Sequence, residues 1–125
     1  DNSQLTKKYG ATAKAGLGNS VATGDVNNDG NADIIAGASK DDSPTVPKTT
    51  KDTGSVFVWS GSNYNLITTK YGDAPKDAFG TSVSAGDINS DGKADLIIGI
   101  PGFDIPVTKP VKDTGAVQVV SGASL

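Results

Sequence analysis

The chain reads as an all-β protein built from two copies of one four-stranded antiparallel unit. The first reason is internal. In 125 residues, Gly24-Asp25-Val26-Asn27-Asn28-Asp29-Gly30-Asn31-Ala32-Asp33 returns 62 residues later as Gly86-Asp87-Ile88-Asn89-Ser90-Asp91-Gly92-Lys93-Ala94-Asp95, and self-similarity at a fixed period marks a repeat architecture. The second is periodicity: apolar residues come in short runs broken by Gly, Asp, Asn and Ser, and no stretch keeps a helical stripe. Sixteen glycines and six prolines are the third, because they supply the turns that many short strands need.

In chain order, the first strand-forming segment is Gln4–Tyr9, the counterpart of Asn65–Tyr71 one period later. Ser20–Gly24 and Asp33–Ala38 follow as a hairpin whose connection carries Asn and Asp-Gly, the chemistry of tight reversals. Gly54–Ser60 supplies the third strand and Asn65–Tyr71 the fourth. The second copy repeats this with Ser82–Gly86, Asp95–Ile100 and Gly115–Ser121, but no fourth strand follows it. Residues 1–62, with the N-terminal strand, form the first repeat, and residues 63–125 the second. Lys51-Asp52-Thr53-Gly54 matches Lys112-Asp113-Thr114-Gly115 at an offset of 61, so one residue is lost between Gly99 and Lys112. Length changes fall in surface loops, so that segment is a loop.

Hydrophobic residues make up 35% of the chain, so the core is thin or shared, in a length that suits at most one ordinary domain. All 14 acidic residues are Asp and all 11 basic ones are Lys, with no Glu, Arg, His or Cys. Disulfides and thiolate metal sites are excluded. Catalysis would fall to Asp pairs, Lys or Tyr, and the chain is read as not an enzyme. Six of the Asp lie in the two repeated loops, so the formal charge of −3 reflects unfilled metal sites rather than an acidic surface. A net-acidic chain with no basic cluster is a poor nucleic-acid binder, and without a long apolar run no membrane insertion is expected. The start at Asp1, without a signal peptide, fits a processed or excised segment.

Each repeated loop has oxygen side chains at positions 1, 3, 5 and 9 and a glycine at 6, a spacing that suits a hard cation bound mainly by carboxylates. In the first loop the candidate ligands are the side chains of Asp25, Asn27, Asp29 and Asp33, with the backbone carbonyl of Asn31. In the second they are Asp87, Asn89, Asp91 and Asp95, with the carbonyl of Lys93. Two Ca2+ ions per chain are expected, with affinity on the order of micromolar to sub-millimolar. A hairpin turn alone explains the glycine but not four oxygen side chains repeated at equal spacing. An EF-hand is excluded, since position 12 is Ala36 or Ile98 and the flanks are strands.

These loops, together with Phe79-Gly80-Thr81-Ser82-Val83, Leu96-Ile97-Ile98-Gly99-Ile100-Pro101 and Gly115–Gly122, resemble the FG-GAP repeats of integrin α-chain N-terminal β-propellers. The first copy departs from the name-giving motifs with Leu17-Gly18 and Gly37-Ala38-Ser39, which keep size and turn character. The resemblance implies that each copy is a propeller blade, a twisted four-stranded antiparallel sheet packed face to face with its neighbours, in rings of usually about seven blades. An isolated pair of blades would expose two apolar faces and an unpaired third-strand edge. The chain is therefore expected either to neighbour further blades of a longer parent chain or to be a homo-oligomer. In the second case the N-terminal strand of one copy completes the second blade of the next. A trimer, giving six blades, is favoured, and a tetramer gives eight.

The long connections 39–53 and 101–114 carry Asp41, Asp42, Lys48, Lys51, Phe103, Asp104, Lys109 and Lys112, and loops of this length are usually functional or mobile. The resemblance implies that they lie opposite the metal loops, where integrin-like propellers meet partners. Asp41, Asp42, Phe103 and Asp104 are the partner-binding candidates. Trp59 alternates with Phe57 along its strand and is read as core between blades. The function expected is calcium-stabilised extracellular or cell-surface recognition and adhesion, toward a protein or glycan ligand. A multivalent glycan-binding lectin and a non-catalytic part of a larger secreted propeller protein are the alternatives.

Overall fold

The computed structural model describes residues 3–44 and 50–125. Among these residues seven strands form, β1 Ser20–Gly24, β2 Asp33–Ala38, β3 Ser55–Trp59, β4 Leu66–Tyr71, β5 Ser82–Gly86, β6 Asp95–Ile100 and β7 Ala116–Val120, with one 3-10 turn at Gly122–Ser124. Each lies within one residue of its expected bounds. The repeat boundary at 62/63 falls inside a sheet, because β4 pairs back onto β3. Among the described residues no helix is long and apolar enough to cross a membrane.

The strands assemble into a four-stranded sheet in the order β1-β2-β3-β4 and a three-stranded sheet in the order β5-β6-β7, antiparallel throughout. Register is the same in both: Ile35 pairs with Val58, and its repeat counterpart Ile97 pairs with Val119. Because side chains alternate across a strand, this register sorts every apolar residue onto one of two faces.

The face of the first sheet that carries Ile35, Val56 and Val58 packs against the face of the second that carries Leu96, Ile98 and Ile100, and Phe79 and Val26 close the cluster. One core is thus shared between two sheets. The sheets meet closely at Gly24, where a Cβ would come within 2.9 Å of the Ala85 Cβ and closer still to Ala94. The Ala94 N–H donates to the Asp25 carbonyl at 2.8 Å across the same seam. Any side chain at position 24 would force the sheets apart, and that separation would strip contacts from a densely packed interior.

The opposite face of the first sheet carries Ala36, Ala38, Phe57 and Trp59, and residues Ala15 and Leu17 of the N-terminal segment pack on it. Trp59 is buried as expected, but its partners correct the expectation. It stacks on Phe57 with ring centroids 5.5 Å apart, on the face turned away from the second sheet. The reason is register: Trp59 pairs with Ile34, one residue off the Ile35 row that faces the shared core. Lys8 adds its ammonium over the Trp59 ring at 5.9 Å.

Gln4–Tyr9 belongs to no strand within this chain. Lys8 donates from Nζ to the Tyr64 carbonyl at 2.6 Å, and the following residues run on to Ala15, so the N-terminal segment covers one of the two faces expected to stand open. The other remains open. Ile97, Val117 and Val119 form the outer face of the second sheet, and among the described residues no strand pairs with the far side of β7.

Candidate metal loops and partner loops

The β1–β2 and β5–β6 connections adopt one conformation. Asn28 and Ser90 sit at φ 60° and 62°, and Gly30 and Gly92 both at 84°, a left-handed position that glycine fills without the steric cost of a Cβ. The reversal turns a fan of backbone N–H groups toward the loop's own carboxylates. Asp25 accepts from the N–H of Asp29 through Oδ1 and of Gly30 through Oδ2, at 3.1 and 2.8 Å. Asp87 accepts from Asp91 and Gly92 in the same way, at 3.1 and 2.9 Å. Asn27 Oδ1 accepts from the Asp29 N–H, and Asn89 Oδ1 from the Asp91 N–H. Asp29 and Asp91 accept from the N–H of Asn31 and Lys93. The Asn31 N–H, with its side-chain amide next, holds the Asp29 carboxyl below the usual carboxylate range.

Positions 1, 3, 5 and 7 therefore form one hydrogen-bonded group at an exposed loop tip. Position 9 does something else. Asp33 is wholly buried; its Oδ2 accepts from the Val26 N–H and its Oδ1 from the Gly61 N–H, both at 2.9 Å. Asp95 repeats this with Ile88 at 2.9 Å and Gly122 at 3.0 Å. Each carboxylate thereby ties the loop to the end of the third strand, which explains why Ser60-Gly61 and Ser121-Gly122 recur. The Gly122 N–H, then the Ile88 N–H, holds Asp95 below its ordinary pKa.

Among the described residues no three carboxylates are gathered as a metal cluster, since each loop carboxylate is engaged with main-chain N–H groups. The donor set nonetheless suits a hard cation. It is all oxygen, and the Asp25 and Asp87 carboxylates accept from main-chain N–H groups while keeping lone pairs for an ion.

The partner candidates separate. Asp41 is buried, against its expected place in a partner-facing loop: Oδ1 accepts from the Thr12 hydroxyl and Oδ2 from the Ser55 hydroxyl, both at 2.7 Å. It binds the N-terminal segment to β3; burial, and after it the Asp41 charge, pushes the Tyr71 phenol up. Phe103 packs on the shared core. Asp42 is exposed and accepts from the Asp52 N–H at 3.0 Å. Asp104 accepts from the Asp113 N–H at 2.8 Å and pairs with Lys112 at 2.6 Å. Lys48 lies outside the described residues. Asp42 and Asp104 are repeat counterparts doing one job, holding the left-handed Asp52 and Asp113, at φ 57° and 49°, at the entry to the third strand. The 62-residue offset pairs these two aspartates and was the signal available for that role.

Sequence reading also passed over Asp77. Its side chain is buried at the end of a cleft of roughly 400 Å3 that lies along β7 and includes Asp73, Phe103, Val117 and Gln118. Burial raises its carboxyl above the ordinary range. The first copy has Ala15 there, so no repeat marked the position.

Two antiparallel sheets of repeated register, stacked through a shared apolar core with equivalent Asp-Asn-Asp-Gly loops at one end, define a pair of propeller-type blades. The FG-GAP repeat profile matches residues 17–59 and 79–120, and the chain belongs to the FG-GAP repeat family. It is 37% identical over 87 residues to integrin alpha-V of Gallus gallus, covering 70% of this chain and 8% of that one. It is 36% identical over 104 residues to integrin alpha-5 of Xenopus laevis, covering 82% of this chain and 9% of that one. The chain thus spans under a tenth of the length of these relatives.

Proposed function

We propose that the chain is a calcium-stabilised, integrin-like propeller segment that serves recognition and adhesion outside the cell or at its surface, after copies associate head to tail into a ring. One observation carries the calcium reading: two loops 62 residues apart hold the same oxygen side chains in the same left-handed conformation. Repetition of both sequence and geometry is more than a turn requires. Family membership and the likeness to integrin alpha chains support the integrin-like propeller part of the reading.

In this reading Asp25, Asn27, Asp29 and Asp33, with the Asn31 carbonyl, hold one ion. Asp87, Asn89, Asp91 and Asp95, with the Lys93 carbonyl, hold the other. The ion supplies positive charge that offsets the repulsion of three carboxylates in one short loop, so binding is coupled to stability. Asp33 and Asp95 transmit this to the sheets, because each is already tied to the end of the third strand. The chain has no catalytic role in this account, and the ligand, protein or glycan, meets the loops of the assembled ring.

Calorimetric titration with Ca2+ tests the reading. Two bound ions per chain, and a melting temperature that falls on chelation, are expected. Asp29→Asn with Asp91→Asn should abolish both effects. No binding at millimolar Ca2+ would overturn it.

A further inference from the structure

At the strand ends away from the metal loops, the two repeats enclose a cleft of roughly 610 Å3. Lys14, Ser39, Lys40 and Asp52 line it from the first repeat, and Lys76 and Ala78 from the second. Its walls are held by the main chain. The Lys40 N–H donates to the Ala15 carbonyl at 3.1 Å, the Lys76 N–H to the Lys51 carbonyl at 3.0 Å and the Ala78 N–H to the Asp52 carbonyl at 3.1 Å. Asn19 ties the two repeats beside Ser39, accepting from the Ser39 N–H and donating to the Thr81 carbonyl, both at 3.0 Å. The cleft is therefore formed before any ligand arrives, as small-molecule sites usually are, and its size falls in the range of about 300–1,000 Å3 that such sites occupy.

Three lysines share this cleft with one aspartate. Lys14, Lys40 and Lys76 are exposed, and among the described residues their ammonium groups form no hydrogen bond or ion pair, the ion pair present being Lys112 with Asp104. Like charges gathered without a counter-charge raise the local potential and attract an anion. Repetition does not account for the group. Lys14 and Lys76 are repeat counterparts, both at φ 66°. Lys40, however, has Gly102 as its counterpart, where a Cβ would collide with the Lys76 carbonyl oxygen. Ala78 also breaks the pattern, holding φ 54° where the first repeat has Gly16 at 72°. A residue lining the cleft thus keeps a Cβ at a steric cost that glycine avoids, and strain of this kind collects at binding sites.

The polar groups define the ligand. Ammonium groups only donate, the Asp52 carboxylate only accepts, and the Ser39 hydroxyl does both. A small inorganic anion would leave most of the volume empty and set Asp52 beside a like charge. A sugar that bears a carboxylate or a sulfate answers the whole set, its charged group going to the lysines and its hydroxyls donating to Asp52 and Ser39. We propose that the cleft between the repeats binds an acidic saccharide unit, with Lys14, Lys40 and Lys76 holding the anionic group and Asp52 accepting from sugar hydroxyls. This names a ligand class for the recognition role above and rests on that role, though not on calcium or on ring formation.

Calorimetric titration in Ca2+ buffer at low salt tests this with four probes: a hyaluronan tetrasaccharide, which carries carboxylates, a chondroitin sulfate tetrasaccharide, which adds sulfates, neutral maltotetraose, and tetraglutamate. An acidic saccharide should bind about tenfold or more tighter than maltotetraose or tetraglutamate. Binding of the carboxylate sugar assigns the anion as a uronate and binding of the sulfated sugar alone assigns it as a sulfate; either supports the proposal. Lys40→Gln and Lys76→Gln, each checked for the parent's melting temperature, should weaken binding about tenfold, whereas Lys109→Gln, outside the cleft, should leave it unchanged. No binding of either acidic saccharide at millimolar concentration would overturn the proposal. So would tetraglutamate binding as tightly, or a loss in Asp29→Asn with Asp91→Asn that the lysine variants do not share, since that would put the sugar on the metal loops. The saccharide-free Ca2+ titration reads the metal sites separately, so failure of one reading is distinguishable from failure of the other.

Discussion

Val56 and Val58 on β3 are fully buried, whereas their repeat counterparts Val117 and Val119 on β7 are 70% and 54% exposed. The residue type, register and twist-compatible β-branching are the same in both places. What differs is the surroundings: β3 lies between β2 and β4 and faces the second sheet, while β7 has a neighbour on one side only. A strand's apolar pattern therefore states what it needs covered, not whether this chain covers it. The opposite case is the Phe57–Trp59 face, which lacks a neighbouring sheet but is closed by Ala15 and Leu17. Among the described residues the N-terminal segment covers one end of the sheet stack, and Val117 and Val119 at the other end are exposed.

The sharpest way to break this comparison is to truncate the same residue in both sheets. Ile35→Ala should cost about 2–5 kcal/mol of unfolding free energy, the usual loss for a buried isoleucine. Ile97→Ala, on the open face, should cost about 1 kcal/mol or less in the monomer. Urea denaturation of both variants at low protein concentration reads the difference, and similar costs would mean that the outer face is covered after all.

The loop staples come next. Asp33→Asn keeps the shape of the side chain but replaces one acceptor oxygen with a donor amide, so either the Val26 or the Gly61 N–H is left unmet in a buried place. A loss of about 1–3 kcal/mol follows. Asp29→Asn, at the exposed tip, should leave the apo protein's stability nearly unchanged while removing one of the two calcium sites. Paired thermal melts with and without Ca2+ would separate the two.

Acid acts in the same direction. The folded-state pKa of Asp95 lies below its ordinary value of 3.8 because the Gly122 and Ile88 N–H groups bond its charged form. Its contribution is thus fully present above the ordinary value and is lost as pH falls through the lowered one. Melting temperature measured from pH 5 downward should decline over that window, and Asp95→Asn should flatten the decline. Smallest of all is the exposed Asp104–Lys112 pair. Lys112→Ala should leave stability nearly unchanged, and added salt should erase any shift.

Most of the fold was legible because two imperfect copies check each other. A strand is believable at Ser82–Gly86 when Ser20–Gly24 shows the same pattern. Other features escaped for physical reasons. The placement of Trp59 depended on which of two adjacent residue rows faces the second sheet, and alternation alone cannot say which face meets which neighbour. Asp41 looked like a surface loop residue because aspartate usually is. Its burial depends on the Thr12 and Ser55 hydroxyls, brought together only by the folded N-terminal segment. Position 9 of each loop was legible as an oxygen donor but not as a staple to Gly61 or Gly122, whose bond is made by backbone rather than side chain.

The claim that the two repeats differ only in what covers their third strands is tested most directly by amide hydrogen exchange in a dilute, monomeric sample. The account predicts strong protection across Ser55–Trp59 and weak protection of the β7 amides that face its free edge, with β7 gaining protection as protein concentration is raised. Equal protection of the two strands in the dilute monomer would contradict it.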